Sequence, residues 1–270
     1  MSHRAMLFAM LCFSLANFSF AREAPRLSAE EMAKAIKSDA ITIPTPGELF
    51  AALAKPGKID WQGQYRGPIP VTYRNRAQIA LNLGGLIADG FIAVQAQDSQ
   101  QVKNIGADII KLAKALGVSE NILGRSNSIS EFAENNDWDS LQEELEATQN
   151  EVKNSMQSHQ DQDLVILVSL GGWIRGTQVV TGAIVKNYND RAAKVLRQPA
   201  LLNFIRSKID DISPNLRDEP LVKEVSSQLA GIEKLVSFPS REAPTVEDVR
   251  RLNGEVGKLM EEIRNKSDAE

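Results

Sequence analysis

A chain of 270 residues with 43% hydrophobic, 24% charged and 6% aromatic side chains has the make-up of an ordinary globular protein, long enough for one large or two small domains. Its formal net charge is −4 and no basic cluster interrupts it, which argues against nucleic acid as a partner, since that binding is driven by phosphate neutralisation. Cys12 is the only cysteine, so the rest of the chain lacks the ligands for disulfides, thiol catalysis, iron–sulfur clusters and cysteine zinc sites.

Residues 1–21 place His3 and Arg4 before the apolar run from Ala5 to Phe20 and end on Ser19-Phe20-Ala21, the order of a secretory signal peptide. Cys12 follows Leu11 rather than the small residue a lipoprotein cysteine requires, so it leaves with the signal. Cleavage removes Arg4 and no acid, giving a mature chain of charge −5 in the periplasm or outside the cell.

Residues 22–76 read as short helices and a loop. Ser28 and Glu31 form a capping box, and Thr45-Pro46-Gly47-Glu48 repeats the device with proline at the first helical position. The stretch from Lys55 to Tyr73 carries Pro56, Gly57, Gly63, Gly67, Pro68 and Pro70, which permit neither a helix nor a paired strand. Its Trp61 and Tyr65, with Arg66 beside them, are either anchors for a partner or rings that pin the loop to the body of the protein.

Residues 77–212 form the expected core. Ala77 to Gln97 is an apolar helix with Gly84, Gly85 and Gly90 and the single charge Asp89. Asp98 caps the next helix, whose stripe is Val102, Ile105, Ile109, Leu112 and Leu116 and which stops at Gly117. A connector with one or two helical turns leads to Asp137 and a long polar helix with the seam Trp138, Leu141, Leu145, Thr148, Val152, Ser155 and His159. The hydroxyls in that seam weaken it as a free coiled coil and direct it onto a bundle. Asp161 to Tyr188 repeats the apolar recipe with Gly171, Gly172, Gly176 and Gly182 around the single internal charge Arg175. Two shorter helices divided at Pro199 complete the region.

In residues 213–270, Val222, Val225, Leu229, Ile232 and Val236 make one stripe, and Val249, Leu252, Val256, Leu259 and Ile263 make another behind the Thr245 cap. They predict an αα-hairpin packed on the bundle, with stripes through which copies could also associate. No segment alternates with period two, so the fold class is all-α, a helical bundle around two glycine-rich apolar helices. Shifting the chain by 87 positions lays Leu83-Gly84-Gly85 on Leu170-Gly171-Gly172, and Ile79, Ile87 and Ala96 on Ile166, Ile174 and Ala183. The match is that of an internal repeat or of two helices meeting through glycines.

Asp89 and Arg175 are ions on apolar helices, costly unless paired, so they are expected to meet, with Asn82, Gln178 or Thr181 completing the hydrogen bonds. The pair is either a structural register pin or the polar floor of a pocket in which Arg175 grips a carboxylate or phosphate. His159 lacks a carboxylate three residues before it, where Met156 stands, and no Gly-x-Ser-x-Gly elbow supplies a triad nucleophile. Glu143, Glu144, Glu146 and Glu151 read as a solvated acidic face. The leading reading is thus an exported, cofactor-free bundle with a binding or interaction role towards an unidentified protein or small molecule, without nucleic acid and without a membrane after signal cleavage. Two others compete: a hydrolase or lyase using carboxylates or Arg175 in the bundle core, and a membrane-embedded pair, since both apolar helices are long enough to span.

Overall fold

The computed structural model describes residues 59–118, 124–158, 161–238 and 242–266. The signal segment, the Ser28 and Thr45 caps, and His159 lie outside these residues. Among the described residues the regular elements are all helical. The long ones are α1 (Arg76–Gln95), α2 (Ser99–Ala115), α3 (Ser126–Glu134), α4 (Trp138–Ser158) and α5 (Gln162–Lys186). After them come the single turn α6 (Asp190–Ala193), α7 (Pro199–Asp211), the turn α8 (Pro214–Arg217), α9 (Pro220–Val236) and α10 (Val246–Asn265).

Local chemistry sets most of these boundaries. The side chain of Asp98 accepts from the Gln101 backbone N–H and starts α2. Gly117 ends it at φ +83°, which a residue with a Cβ adopts only under strain. Asp137 accepts from the Ser140 N–H at the head of α4. Thr245 and Asp248 close a reciprocal capping box on α10. The connector before α4 holds a nine-residue helix, α3, rather than a turn or two. The Pro/Gly-rich loop contains a 3-10 turn at Gln62–Gln64, started where the Gly63 N–H donates to Asp60 Oδ1 at 2.9 Å.

α1 and α5 are the centre, and they run in the same direction. Arg76 at the head of α1 is bonded to Asp161 at the head of α5, 85 positions on, and Asp89 meets Arg175, 86 positions on. Between these points the two backbones touch. A Cβ on Gly84 would stand 1.9 Å from the carbonyl oxygen of Val168, and a Cβ on Gly171 would stand 1.9 Å from that of Leu81. The contacts are reciprocal: the shift of 87 that aligns Gly84 with Gly171 also aligns Leu81 with Val168. Whatever the origin of the repeat, both glycines are there because no side chain fits.

α10 lies antiparallel across the pair. Asn253 donates to the Gln178 carbonyl and to Thr181 Oγ1 on α5, while at its other end the Ile263 carbonyl accepts from Gln78 and Asn82 of α1. The two C-terminal stripes are buried at every position, none more than 2% exposed. α10 nevertheless packs more extensively on α5 than on α9, so the hairpin is seated on its own bundle. On the opposite side α2 covers α1, α3 packs on α2, and α4 packs on α3, α5 and α1. Along α4, Leu141 and Val152 of the expected seam are buried, and Gln149 and Met156 are buried beside them.

Candidate functional site

The polar centre of the α1–α5 interface is larger than the expected pair. Arg175, 4% exposed, donates from Nε to Asp89 Oδ1 at 2.7 Å. Its Nη1 donates to Gln178 Oε1 at 2.8 Å and its Nη2 to the carbonyl of Gln64 at 2.6 Å. The second oxygen of Asp89 is taken by Arg66, whose Nε and Nη2 lie 2.7 and 2.6 Å away. One carboxylate therefore sits between two guanidinium groups, a buried cluster with one net positive charge.

The loop before α1 supplies half of this arrangement. Arg66 turns inward rather than outward, and the Gln64 carbonyl completes Arg175. Trp61 and Tyr65 pack against the core as partly buried rings, and the Tyr65 hydroxyl donates to Asp98 at 3.4 Å. Burial, reinforced by the neighbouring Asp98 carboxylate, pushes the Tyr65 phenol up to about 12. The Pro68 carbonyl accepts from Arg264 of α10 and Ile69 is buried, so the segment is a strap across one side of the helix pair.

Asn82 does not join the cluster. Its amide donates to the Gln78 and Ile263 carbonyls, beside Gln78, which donates to Ile263 and Lys266. These two amides satisfy the end carbonyls of α10, which otherwise have no intrahelical partner. Thr181 bonds its own helix and Asn253 rather than Arg175. A Cβ on Gly85 would stand 3.0 Å from Arg66 Nη2 and 3.1 Å from the Met260 methyl, so the guanidinium lies close against the α1 backbone.

A cleft of about 230 Å³ reaches this cluster from outside, bordered by Arg66, Asp89, Gln101, Asn104 and Asp108. It meets Asp89 and Arg66 but not Arg175, whose three nitrogens are all engaged within the protein. Arg175 thus spends a bond from each nitrogen on Asp89, Gln178 and the Gln64 carbonyl, tying α1, α5 and the loop before α1 together.

A second cavity, of about 240 Å³, opens between α1, α2, α3 and α4. Leu83, Ile87 and Phe91 of α1 face Val102, Ile109 and Ala113 of α2 across it, with Ile129 of α3 and Leu145 and Val152 of α4 closing the other sides. Gly90 and Gly106 make it roomy. A Cβ on Gly106 meets nothing within 4 Å, and one on Gly90 makes only ordinary contact with Ile105 and Ile109. The wall is apolar except for Lys103, paired with Glu134 at 3.1 Å, and the hydroxyls and amide of Ser126, Ser130, Thr148 and Gln149. Thr148 Oγ1 and Gln149 Oε1 are buried without a hydrogen-bond partner. The hint of this site in the sequence was Thr148 interrupting an apolar seam.

Glu144 and Glu151 of the acidic face are tied to Arg125, 3.0 and 2.7 Å away, and so clamp the start of α3 to α4. Among the described residues no group of three or more His, Cys, Asp or Glu side chains is placed to hold a metal ion. Comparison of the chain with family models, with curated proteins and with solved structures finds no match in any of the three.

Proposed function

We propose that this is an exported helical protein with a binding role, and that its receptive site is the apolar cavity between α1, α2, α3 and α4. The observation that carries the reading is the contrast in packing on the two sides of α1: backbone against backbone towards α5, and an open apolar chamber towards α2–α4. Protein interiors are close-packed, and an apolar lining holds water poorly, so a chamber of this kind is favourable when an apolar guest fills it. Apolar walls with a few convergent polar groups are the usual make-up of small-molecule sites.

The polar cluster supports a structural role rather than a catalytic one, because both Asp89 oxygens and all three Arg175 nitrogens are bonded inside the protein. The two apolar helices are long enough to cross a membrane, yet 94% and 78% of their most apolar windows are covered by the protein itself. Little of α1 is left for lipid to touch, which supports the reading of both as core helices.

A neutral apolar fluorophore tests the proposal. Titration of the mature chain with N-phenyl-1-naphthylamine is expected to show saturable one-to-one binding. Gly106→Leu, which fills the cavity from a position with open space, is expected to abolish binding while leaving the circular-dichroism melt in place. Equal binding to the filled variant would show that the fluorophore sits elsewhere.

A further inference from the structure

We infer that the guest of the α1–α4 cavity is an uncharged amphiphile, an apolar body ending in one hydrogen-bonding group such as a hydroxyl, and that Gln149 and Thr148 recognise that end. This rests on the reading of the cavity as a binding site and adds the chemistry of its occupant. Gln149 is 8% exposed and borders the cavity, and its Oε1 makes no hydrogen bond. Thr148, next to it on α4, also borders the cavity and leaves Oγ1 without a partner.

Buried side-chain amides are almost always satisfied, and an unmade bond to one is costly. Neither oxygen is open to solvent, so a guest completes them by drawing the two side chains inward, a rearrangement that the unmade bonds favour. A hydroxyl suits them. It donates to Gln149 Oε1 or Thr148 Oγ1, and it can accept from the Gln149 amide nitrogen if the amide turns over. A carboxylate does not suit them, because it brings a charge into an apolar chamber where the nearby cation, Lys103, is already paired with Glu134.

The apolar component is set by the surrounding wall. Ile87, Phe91, Val102 and Ile109 offer dispersion contact without any directional demand, so they select for size and not for sequence of atoms. Specificity is thus assigned to one end of the chamber, where α4 carries Thr148 and Gln149, and affinity to the rest.

The experiment compares 1-decanol, decane and decanoate as competitors of bound N-phenyl-1-naphthylamine on the mature chain. Decanol is expected to displace it at a concentration at least about five-fold lower than decane, the worth of one hydrogen bond. Decanoate is expected to compete less well than decanol. In Gln149→Leu the preference for decanol over decane should vanish while fluorophore binding persists. Decane and decanol competing equally in wild type would identify the occupant as a plain apolar group, such as a side chain of another protein, and would overturn the inference while leaving the cavity in place. Decanoate competing best, or an unchanged preference in Gln149→Leu, would overturn it too. Loss of fluorophore binding altogether counts against the cavity itself, and is told apart by the Gly106→Leu control.

Discussion

The two faces of α1 use the same residue to opposite ends. Towards α5, Gly84 removes a side chain so that the Val168 carbonyl can occupy its place. Towards α2, a Cβ on Gly90 would only touch Ile105 and Ile109 at 3.8 Å, and one on Gly106 of α2 would meet nothing within 4 Å. Glycine in an apolar helix is thus a mark of closeness in one direction and of room in the other, and only the neighbour distinguishes them.

Adding a methyl group to each face is the sharpest way to break this comparison. Gly171→Ala drives a Cβ to 1.9 Å from the Leu81 oxygen, so the helices must separate along their whole contact. We expect a loss of about 4–5 kcal/mol, at the exceptional end for one substitution, read as the shift in a urea unfolding midpoint. An effect under about 1 kcal/mol would show that the crossing yields easily. Next in size, Asp89→Asn leaves two buried guanidinium groups without their shared anion. Removing one partner of a buried pair costs about 3–5 kcal/mol, and we expect the lower part of that range because Arg66 reaches the outer cleft. Gly106→Ala on the open face has the opposite sign. It meets no atom within 4 Å and replaces a poor helix former, so a gain of about 0.5–1 kcal/mol is expected in the same assay.

The smallest effect is a matter of pH and tests the strap. Burial pushes both Tyr65 and Tyr73 up to about 12 from an ordinary 10.0. A raised folded-state value means the stabilisation is complete below pH 10 and is lost as pH climbs from 10 to 12. Absorbance at 295 nm should show these phenols ionising later in the folded than in the urea-unfolded chain, with the unfolding midpoint falling through that window. Coincident titration curves would mean that the strap leaves its rings in water.

Much of the frame is legible in the sequence. The stripes of α2, α9 and α10 are spaced by three and four, and all of these side chains but Ile109, which borders the cavity, are buried, so local pattern and tertiary packing agree. The meeting of Asp89 and Arg175 followed from the cost of burying either alone. Arg66 was not legible as a third member, because it lies in a segment without periodicity, and nothing in the order of residues says which way a loop side chain turns. Asn82 was misread as part of the cluster for a related reason. A buried amide must bond something, but of the two carbonyls it serves, that of Gln78 is one turn back on its own helix and that of Ile263 becomes a neighbour only when α10 docks. The cavity escaped as well, since a void is made by four helices failing to meet, and Thr148 in the seam of α4 is too slight a trace to locate it.

The shared direction of α1 and α5 has an electrical consequence. Two peptide dipoles pointing the same way add, concentrating roughly half a positive charge per helix at the end where Arg76 and Gln162 begin. Asp161 and Asp163 stand at that end, and Glu219 accepts from Asn75 beside it. α10 delivers its own negative terminus to the same place, handing the Ile263 and Lys266 carbonyls to Gln78 and Asn82. The last helix therefore acts as a counter-pole, letting two like-oriented helices lie in contact where their fields alone would push them apart.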